Sequence, residues 1–233
     1  SYTYEIEYMD EHLGRLIEGL KKRDLYRDTL IVFTADHGEE FFEHGGWWHG
    51  LSLYEEQIAV PLIIKLPNSE LIDVNTDLTR HVDIAPTIAT IAGLDLSEQW
   101  QGKSLLSSSL DFENADTPYV HSHLNFEGIE LHSLRTESRK LIHANEGNKR
   151  GYAPVELYDL DADPTEQENL AELSEAEVTL FSGKLGEMNA FILENAAEPL
   201  DMSLENLPQS MKEELEALGY LGDVEGEEEV PQF

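Results

Sequence analysis

The stretch LIVFTADHGE, residues 30–39, joins a continuous apolar run to a group of side chains that can bind metals. Because the run at 30–33 is β-branched and aromatic and does not alternate with polar residues, it predicts a strand covered on both faces. Asp36 and His37 follow the strand, and Gly38 lets the backbone turn there. The pair can offer adjacent oxygen and nitrogen ligands to a divalent cation, or serve as a capping carboxylate and a surface histidine.

Helical and strand patterns flank this stretch. Apolar residues spaced three and four apart predict an amphipathic helix over 4–22, with acids early and bases late. A second apolar run at 62–64, bounded by prolines, predicts another buried strand. A helix is predicted from 83 to 92, ending before Gly93. Helices followed by buried strands indicate an α/β sheet, and open sheets of this class bind ligands at the carboxyl ends of parallel strands.

The pattern changes after about residue 105, where serine-rich and acidic loop-like sequence begins. Strand candidates in a small, mainly antiparallel subdomain lie at 118–124, 130–135 and 139–143. Further helices are predicted at 175–194 and 209–218. The predicted divisions are 1–105, 106–195, and an acidic C-terminal helix and tail over 196–233.

Composition excludes several classes of protein. The chain has 233 residues with 15 Lys+Arg against 48 Asp+Glu, a formal net charge of −33, which is the wrong sign for a nucleic-acid binder held by phosphate contacts. It contains no cysteine, so disulfides and cysteine-bound zinc are excluded. No apolar run reaches the roughly 18 to 20 residues of a membrane-spanning helix.

Two further histidines follow His37 within 12 residues, namely His44 and His49. They lie among glycines and tryptophans in the segment HGGWWHG. Three histidines with the carboxylate of Asp36 could form a mononuclear or dinuclear metal site. Alternatively, one metal could be bound while imidazoles contact the substrate.

The run VFTADHGEEFFEHGGWWHGLSLYEEQIAVPLII, residues 32–64, resembles the second metal-ligand segment of the sulfatases, in the alkaline phosphatase superfamily. The resemblance continues in order along nearly the whole chain, through HVDIAPTIATIAGL, QGKSL, ELYDLDADPTEQENLA and LEALGYL. It implies the C-terminal portion of an alkaline-phosphatase-like α/β sandwich, with a mixed, mostly parallel sheet. It also implies a small antiparallel β subdomain with a C-terminal helix.

The resemblance also assigns roles to single residues. Asp36 and His37 match the metal ligands of this half of the fold, while His44 and His49 match positions near the substrate and are the candidate catalytic residues. His81 and Asp83 match a family helix entry, where a capping role is expected. The later histidines lie in the second subdomain and are interpreted as structural or rim residues, namely His121, His123, His132 and His143.

The implied activity is hydrolysis of sulfate esters by a metal-dependent sulfatase, with a sulfated glycan among the possible substrates. Sulfatases carry a formylglycine nucleophile in a Cys- or Ser-x-Pro-x-Arg motif, which this chain lacks. We therefore expect it to be the C-terminal part of a longer protein, inactive when isolated. The family implies calcium, whereas the nitrogen of His37 would suit manganese or zinc. A periplasmic or secreted location is expected.

Two alternatives stay open at this point. Phosphodiesterases, phosphonate monoester hydrolases and phosphoglycerol transferases share the superfamily, and several use Asp-His with a transition metal. Sulfate and phosphate esters are both tetrahedral anions, so this half of a site does not separate them. A non-catalytic module that binds anionic glycans or a partner protein is the other possibility.

Overall fold

The structure, a computed structural model, describes residues 2–70, 72–106, 119–195 and 207–212. Its helices are α1 (Tyr2–Lys21), α2 (Glu55–Ile58), α3 (Ile84–Ile91) and α4 (Glu175–Asn195), and a 3-10 turn spans His81–Asp83. Its strands are β1 (Ile31–Thr34), β2 (Glu40–Phe41), β3 (Trp47–Trp48), β4 (Leu62–Lys65), β5 (Val120–Phe126), β6 (Ile129–Arg135), β7 (Arg139–Ala144) and β8 (Val155–Asp159).

The two predicted strands of the first part, β1 and β4, pair with each other. Thr34 lies opposite Leu62 and Ile31 opposite Lys65, so the pair is antiparallel. The described residues contain no parallel strand pair, and β1 is half-buried along its length. The expectations of parallel strands and of a strand covered on both faces therefore do not hold within this part of the chain. Strand direction depends on tertiary pairing, which the apolar pattern of one strand does not specify.

Helix α1 forms where predicted, but it buries none of its residues. The apolar side chains of Ile6, Met9 and Leu16 are all exposed. Leu13, Ile17 and Leu20 are partly buried, so the described residues cover its amphipathic stripe only in part. No helix in the described residues is long and apolar enough to cross a membrane.

The second part is a four-stranded antiparallel sheet in the order β5-β6-β7-β8. Three of its strands and helix α4 confirm predicted elements, whereas β8 was missed because its residues run directly into the turn sequence DADPTE. The residues of the predicted helix at 209–218 lie mostly outside the described residues. The described residues form two compact units that divide after Met188. The division at 105 and 195 stays a prediction.

Apolar side chains fill both faces of this sheet. One face packs against residues of the α2 region, in a cluster of Leu53, Tyr54, Ile129, Leu131, Ile142, Tyr158 and Leu160. The other face packs against α4, in a cluster of Leu134, Leu141, Leu157, Phe181 and Leu185. The sheet thus joins the segment that carries the candidate site to the second part of the chain.

A buried ion cluster lies at this junction. Lys140 on β7 is fully buried, and its Nζ lies 3.1 Å from Glu55 Oε1 and 2.8 Å from Glu166 Oε1. Arg135 makes a second ion pair with Glu55 at 3.1 Å. Burial raises the pKa of Glu55, but Lys140 and Arg135 outweigh this and the pKa is lowered overall. Burial raises the pKa of Glu166 even though Lys140 lies beside it.

We predict that Lys140→Met destabilises the protein strongly. Removing one member of a buried ion pair leaves an uncompensated charge, which costs about 3–5 kcal/mol in the free energy of unfolding. The exposed Lys149, 4.0 Å from Glu127, is the matched control, and Lys149→Met should cost about 1 kcal/mol or less. Urea unfolding of both variants measures the difference, and equal midpoints would contradict the prediction.

Candidate functional site

Asp36 and His37 lie on the surface just beyond β1. The side chain of Asp36 is 90% exposed, and its Oδ2 lies 3.7 Å from His37 Nε2. His37 Nδ1 lies 2.9 Å from the carbonyl oxygen of Gly38. Because that carbonyl can only accept, Nδ1 carries a proton, and in the neutral ring Nε2 has the lone pair that a metal needs. The pKa of Asp36 lies below its usual value, chiefly because of the neighbouring His37.

Gly38 is explained by close backbone contact. Its N–H donates to the carbonyl of Gln57 at 2.8 Å, and a Cβ at this position would lie 2.0 Å from the carbonyl oxygen of Glu56. The sequence predicts that Gly38 permits a turn. The structure shows in addition that this position has no room for a side chain. Residues 36–39 are held against helix α2, which fixes the backbone that carries the two predicted ligands.

His49 lies beside this pair. Its ring stacks on the ring of His37 with centroids 4.2 Å apart, and its Nδ1 lies 3.3 Å from Glu39 Oε1. Together they form one group of two carboxylates and two imidazoles at the surface, namely Asp36, His37, His49 and the partly buried Glu39. Glu39 was not singled out from the sequence, although a carboxylate two residues after His37 was a usable signal.

His44 occupies a different environment. Its Nδ1 lies 2.7 Å from Glu56 Oε1, its Nε2 lies 3.0 Å from the carbonyl of Glu166, and its ring stacks on Tyr54 with centroids 3.6 Å apart. Both ring nitrogens face oxygen acceptors within the protein. These contacts hold His44 and its loop in place. The catalytic role of His44 stays a prediction.

The loop that carries these histidines is fixed by a second buried ion pair. Glu40 is fully buried and receives two hydrogen bonds from Arg150, at 2.8 and 2.9 Å. Gly46 packs on the guanidinium and donates its N–H to Glu40 at 2.7 Å. Burial raises the pKa of Glu40, but Arg150 outweighs this and the pKa is lowered overall. A side chain at Gly46 would displace Arg150, so the glycine is needed here.

The hairpin of β2 and β3 presents aromatic side chains beside the group. Phe41, Phe42, Trp47 and Trp48 are all exposed, with Trp48 at 73%. Exposed aromatic surfaces in proteins often mark binding sites. The Trp-Trp sequence was visible in advance, whereas the pairing of Trp47 with Phe41 and of Trp48 with Glu40 was not.

The predicted pair at the start of α3, His81 and Asp83, makes structural contacts. His81 Nε2 bonds the carbonyl of Ala35 at 2.8 Å, which ties the start of α3 to the candidate loop. Asp83 is buried and accepts hydrogen bonds from Arg80 and from the backbone N–H of Lys103. These contacts agree with the structural role expected for the pair.

Comparison with known proteins identifies the family of the chain. Residues 1–94 match the family model described as Sulfatase. The chain belongs to the sulfatase family, because sulfatases at least 31% identical to it match over more than two thirds of its length. Members of this family generally use a divalent cation and a formylglycine residue. Asp36, His37 and His49 all fall within the matched residues.

Individual sulfatases give the extent of the similarity. Arylsulfatase K from Bos taurus is 34% identical over 173 residues, which are 70% of this chain and 31% of that protein. Choline-sulfatase from Rhizobium meliloti is 31% identical over 175 residues, 74% of this chain and 33% of that protein. The chain thus spans about a third of the length of these sulfatases.

A solved structure shows the same fold. It is titled as a complex of a protein with its substrate D-glucosamine-2-N,6-O-disulfate, and it superimposes with a TM-score of 0.68 at 27% identity. The match covers 82% of this chain and 40% of that one. The predicted α/β class and alkaline-phosphatase-like architecture are therefore confirmed.

We predict a pH-dependent contribution of His44 to stability. Burial lowers the pKa of His44, but the hydrogen bond to Glu56 and the contact with Glu166 outweigh it, and the pKa is raised overall. A raised pKa in the folded state stabilises the protein fully below the unfolded value of about 6.5, and this contribution is lost as the pH rises through the folded value.

The difference in unfolding free energy between the unmodified protein and His44→Gln should therefore be largest at acidic pH and shrink above neutrality. Glu56→Gln should remove the same pH dependence, because it removes the hydrogen bond to the charged ring. Denaturant unfolding between about pH 5.5 and 8.5 checks both variants. A difference that stays constant with pH would show that His44 does not titrate against Glu56.

Proposed function

We propose that this chain supplies part of the metal and substrate site of an enzyme that hydrolyses sulfate esters. The observation that supports this most is the surface group of Asp36, His37, His49 and Glu39 on a segment matched to the sulfatase family. Anion hydrolysis needs positive charge and proton carriers beside an accessible surface, and this group provides ligands and imidazoles there.

Asp36 and His37 would hold a divalent cation. The carboxylate and the Nε2 lone pair are suitable donors, and the backbone of Gly38 already orients the ring. Two ligands are fewer than the four or more that such ions need, so the remaining ligands would come from other parts of the full sulfatase. The bound cation would stabilise negative charge on the sulfate group. Calcium is expected from the family, and His37 would also suit manganese or zinc.

His49 would face the substrate. Its ring is half-exposed, stacks on His37, and has Glu39 beside Nδ1. Glu39 can accept a hydrogen bond from the Nδ1–H group of His49. The other ring nitrogen, Nε2, is then directed away from this carboxylate. We infer that His49 orients the ester and exchanges a proton with the leaving oxygen. His44 would act by holding the loop in place.

A sulfated sugar is the proposed substrate class. A structural relative was solved with a disulfated glucosamine, and the exposed aromatic hairpin offers flat apolar surface next to the ligand group. Tyrosine and tryptophan rings supply contact area of this kind at binding sites. The periplasmic or secreted location expected from the sequence is proposed on the same basis, since sulfated polysaccharides are extracellular polymers.

An ester of phosphate or a phosphonate is the second candidate substrate, and one observation favours it. His37 offers a nitrogen ligand, which transition metals accept more readily than calcium does. A non-catalytic binding module is the third possibility. Hydrolysis of sulfate and phosphonate esters by the full-length protein distinguishes both candidates from a sulfatase.

We predict metal-dependent sulfate release by the full-length protein from a 6-O-sulfated glucosamine, with weaker activity on a phosphonate ester. Asp36→Asn should lower kcat/KM by at least about a hundredfold and weaken metal binding in calorimetry. Asp24→Asn is the matched control, because Asp24 has a positive φ that asparagine tolerates. Faster hydrolysis of the phosphonate than of the sulfate would favour a phosphate or phosphonate ester hydrolase. Metal-independent sugar binding without hydrolysis would favour a non-catalytic binding module.

We also predict that Trp48→Ala raises KM for the sulfated sugar about threefold to tenfold, with little change in kcat. The ring is exposed, so its loss should leave the fold intact. Trp100→Ala, also exposed but outside the hairpin, should leave KM unchanged. Steady-state kinetics on both variants checks the contact, and equal KM values for the two would argue against it.

A further inference from the structure

The sheet face that packs against α4 carries an unusual density of histidines. His123 lies directly opposite His132, and His132 lies directly opposite His143. Residues directly opposite one another share a face of the sheet. His121 is two residues from His123 and therefore lies on the same face, as does Glu130, two residues before His132. The sulfatase assignment gives none of these residues a chemical role.

Three of these side chains converge. The rings of His123 and His132 stack with centroids 4.3 Å apart. Glu130 Oε1 lies 3.4 Å from His132 Nε2 and 4.0 Å from His123 Nε2. Within the described residues, this is the one group of three whose potential ligand atoms all lie within 4.8 Å of one another.

One of these distances fits a tetrahedral ion. Metal–nitrogen and metal–oxygen bonds of about 2.0–2.1 Å place ligand atoms about 3.3–3.4 Å apart, and Glu130 Oε1 and His132 Nε2 already have this separation. The His123 ring is nearly parallel to the His132 ring, so it would have to turn before both Nε2 lone pairs point at a common ion. Because His123 and Glu130 are exposed, such a movement meets little resistance.

Two other ring nitrogens of the histidine cluster lack a hydrogen-bond partner. His121 Nε2 and His132 Nδ1 are buried and make no hydrogen bond. Unpaired buried polar atoms are rare in proteins and call for a polar partner such as bound water. The ring nitrogen of His132 that faces Glu130 is the other one, Nε2. His143 differs, since its Nε2 contacts Ser182 Oγ at 2.9 Å.

We propose that His123, His132 and Glu130 bind a divalent transition metal ion such as Zn²⁺ on the β5–β6 hairpin. Two nitrogens and one carboxylate oxygen suit zinc, and the fourth position is open to water. The site is separate from the candidate ligands Asp36 and His37. It links β5, the edge strand of the sheet, to β6 beside the two-residue turn at Glu127 and Gly128. The ion would thus stabilise a strand that, among the described residues, is paired on one side only.

Calorimetry with Zn²⁺ alone tests this site in a background that lacks the other one. The parent is the full-length protein carrying Asp36→Asn and His37→Asn, in which we expect one equivalent of Zn²⁺ to bind. Glu130→Gln and His123→Gln should each weaken this binding by at least about tenfold. His12→Gln, an exposed histidine on α1, is the control and should leave the affinity unchanged. An excess of Ca²⁺ should not compete, because nitrogen ligands select transition metals.

Thermal unfolding supplies a second readout. Zn²⁺ should raise the Tm of the parent and leave the Tm of Glu130→Gln and His123→Gln almost unchanged, since only the folded site binds the ion. Without metal, all these proteins should unfold at similar temperatures, because the substituted side chains are exposed. Equal Zn²⁺ affinity in the parent and both hairpin variants, or no binding to the parent, would overturn the proposal.

Discussion

The burial of Lys140 between Glu55 and Glu166 is the constraint on which the rest of the structure depends. The lysine comes from the middle of the antiparallel sheet, Glu55 opens helix α2, and Glu166 lies in the turn after β8. Glu166 also accepts the backbone N–H of Glu55 at 2.6 Å. A charge removed from water requires close opposite charges, so these three segments have little freedom to separate.

This constraint extends to the candidate site through backbone contacts. Helix α2 receives the N–H groups of Gly38 and Glu39, so its position determines where the Asp36–His37 segment lies. Arg150 and Glu40 fix the same loop from the other side. The exposed ligand group thus rests on buried, paired charges, which is the arrangement that holds functional side chains in place before a ligand arrives. The second part of the chain is therefore a support for the sulfatase segment.

The sequence predicted features that depend on local spacing. Helices α1 and α4, the strands β1 and β4 and three strands of the second sheet follow from hydrophobic periodicity, and the proximity of His37 to His49 follows from a short loop. The antiparallel pairing of β1 with β4 was not predictable in this way. The partnership of Glu40 with Arg150 joins residues 110 positions apart, and no local pattern reports it. The burial of His44 likewise depends on Glu166, which lies in the second part of the chain.

The most direct test of the central claim is anomalous diffraction from crystals of the full-length protein soaked with Mn²⁺. The account predicts an anomalous peak within about 2.0–2.6 Å of both the Asp36 carboxylate and His37 Nε2. His49 should lie next to that ion without the ring of His44 approaching it. A fully occupied ion that contacts neither Asp36 nor His37 would contradict the account.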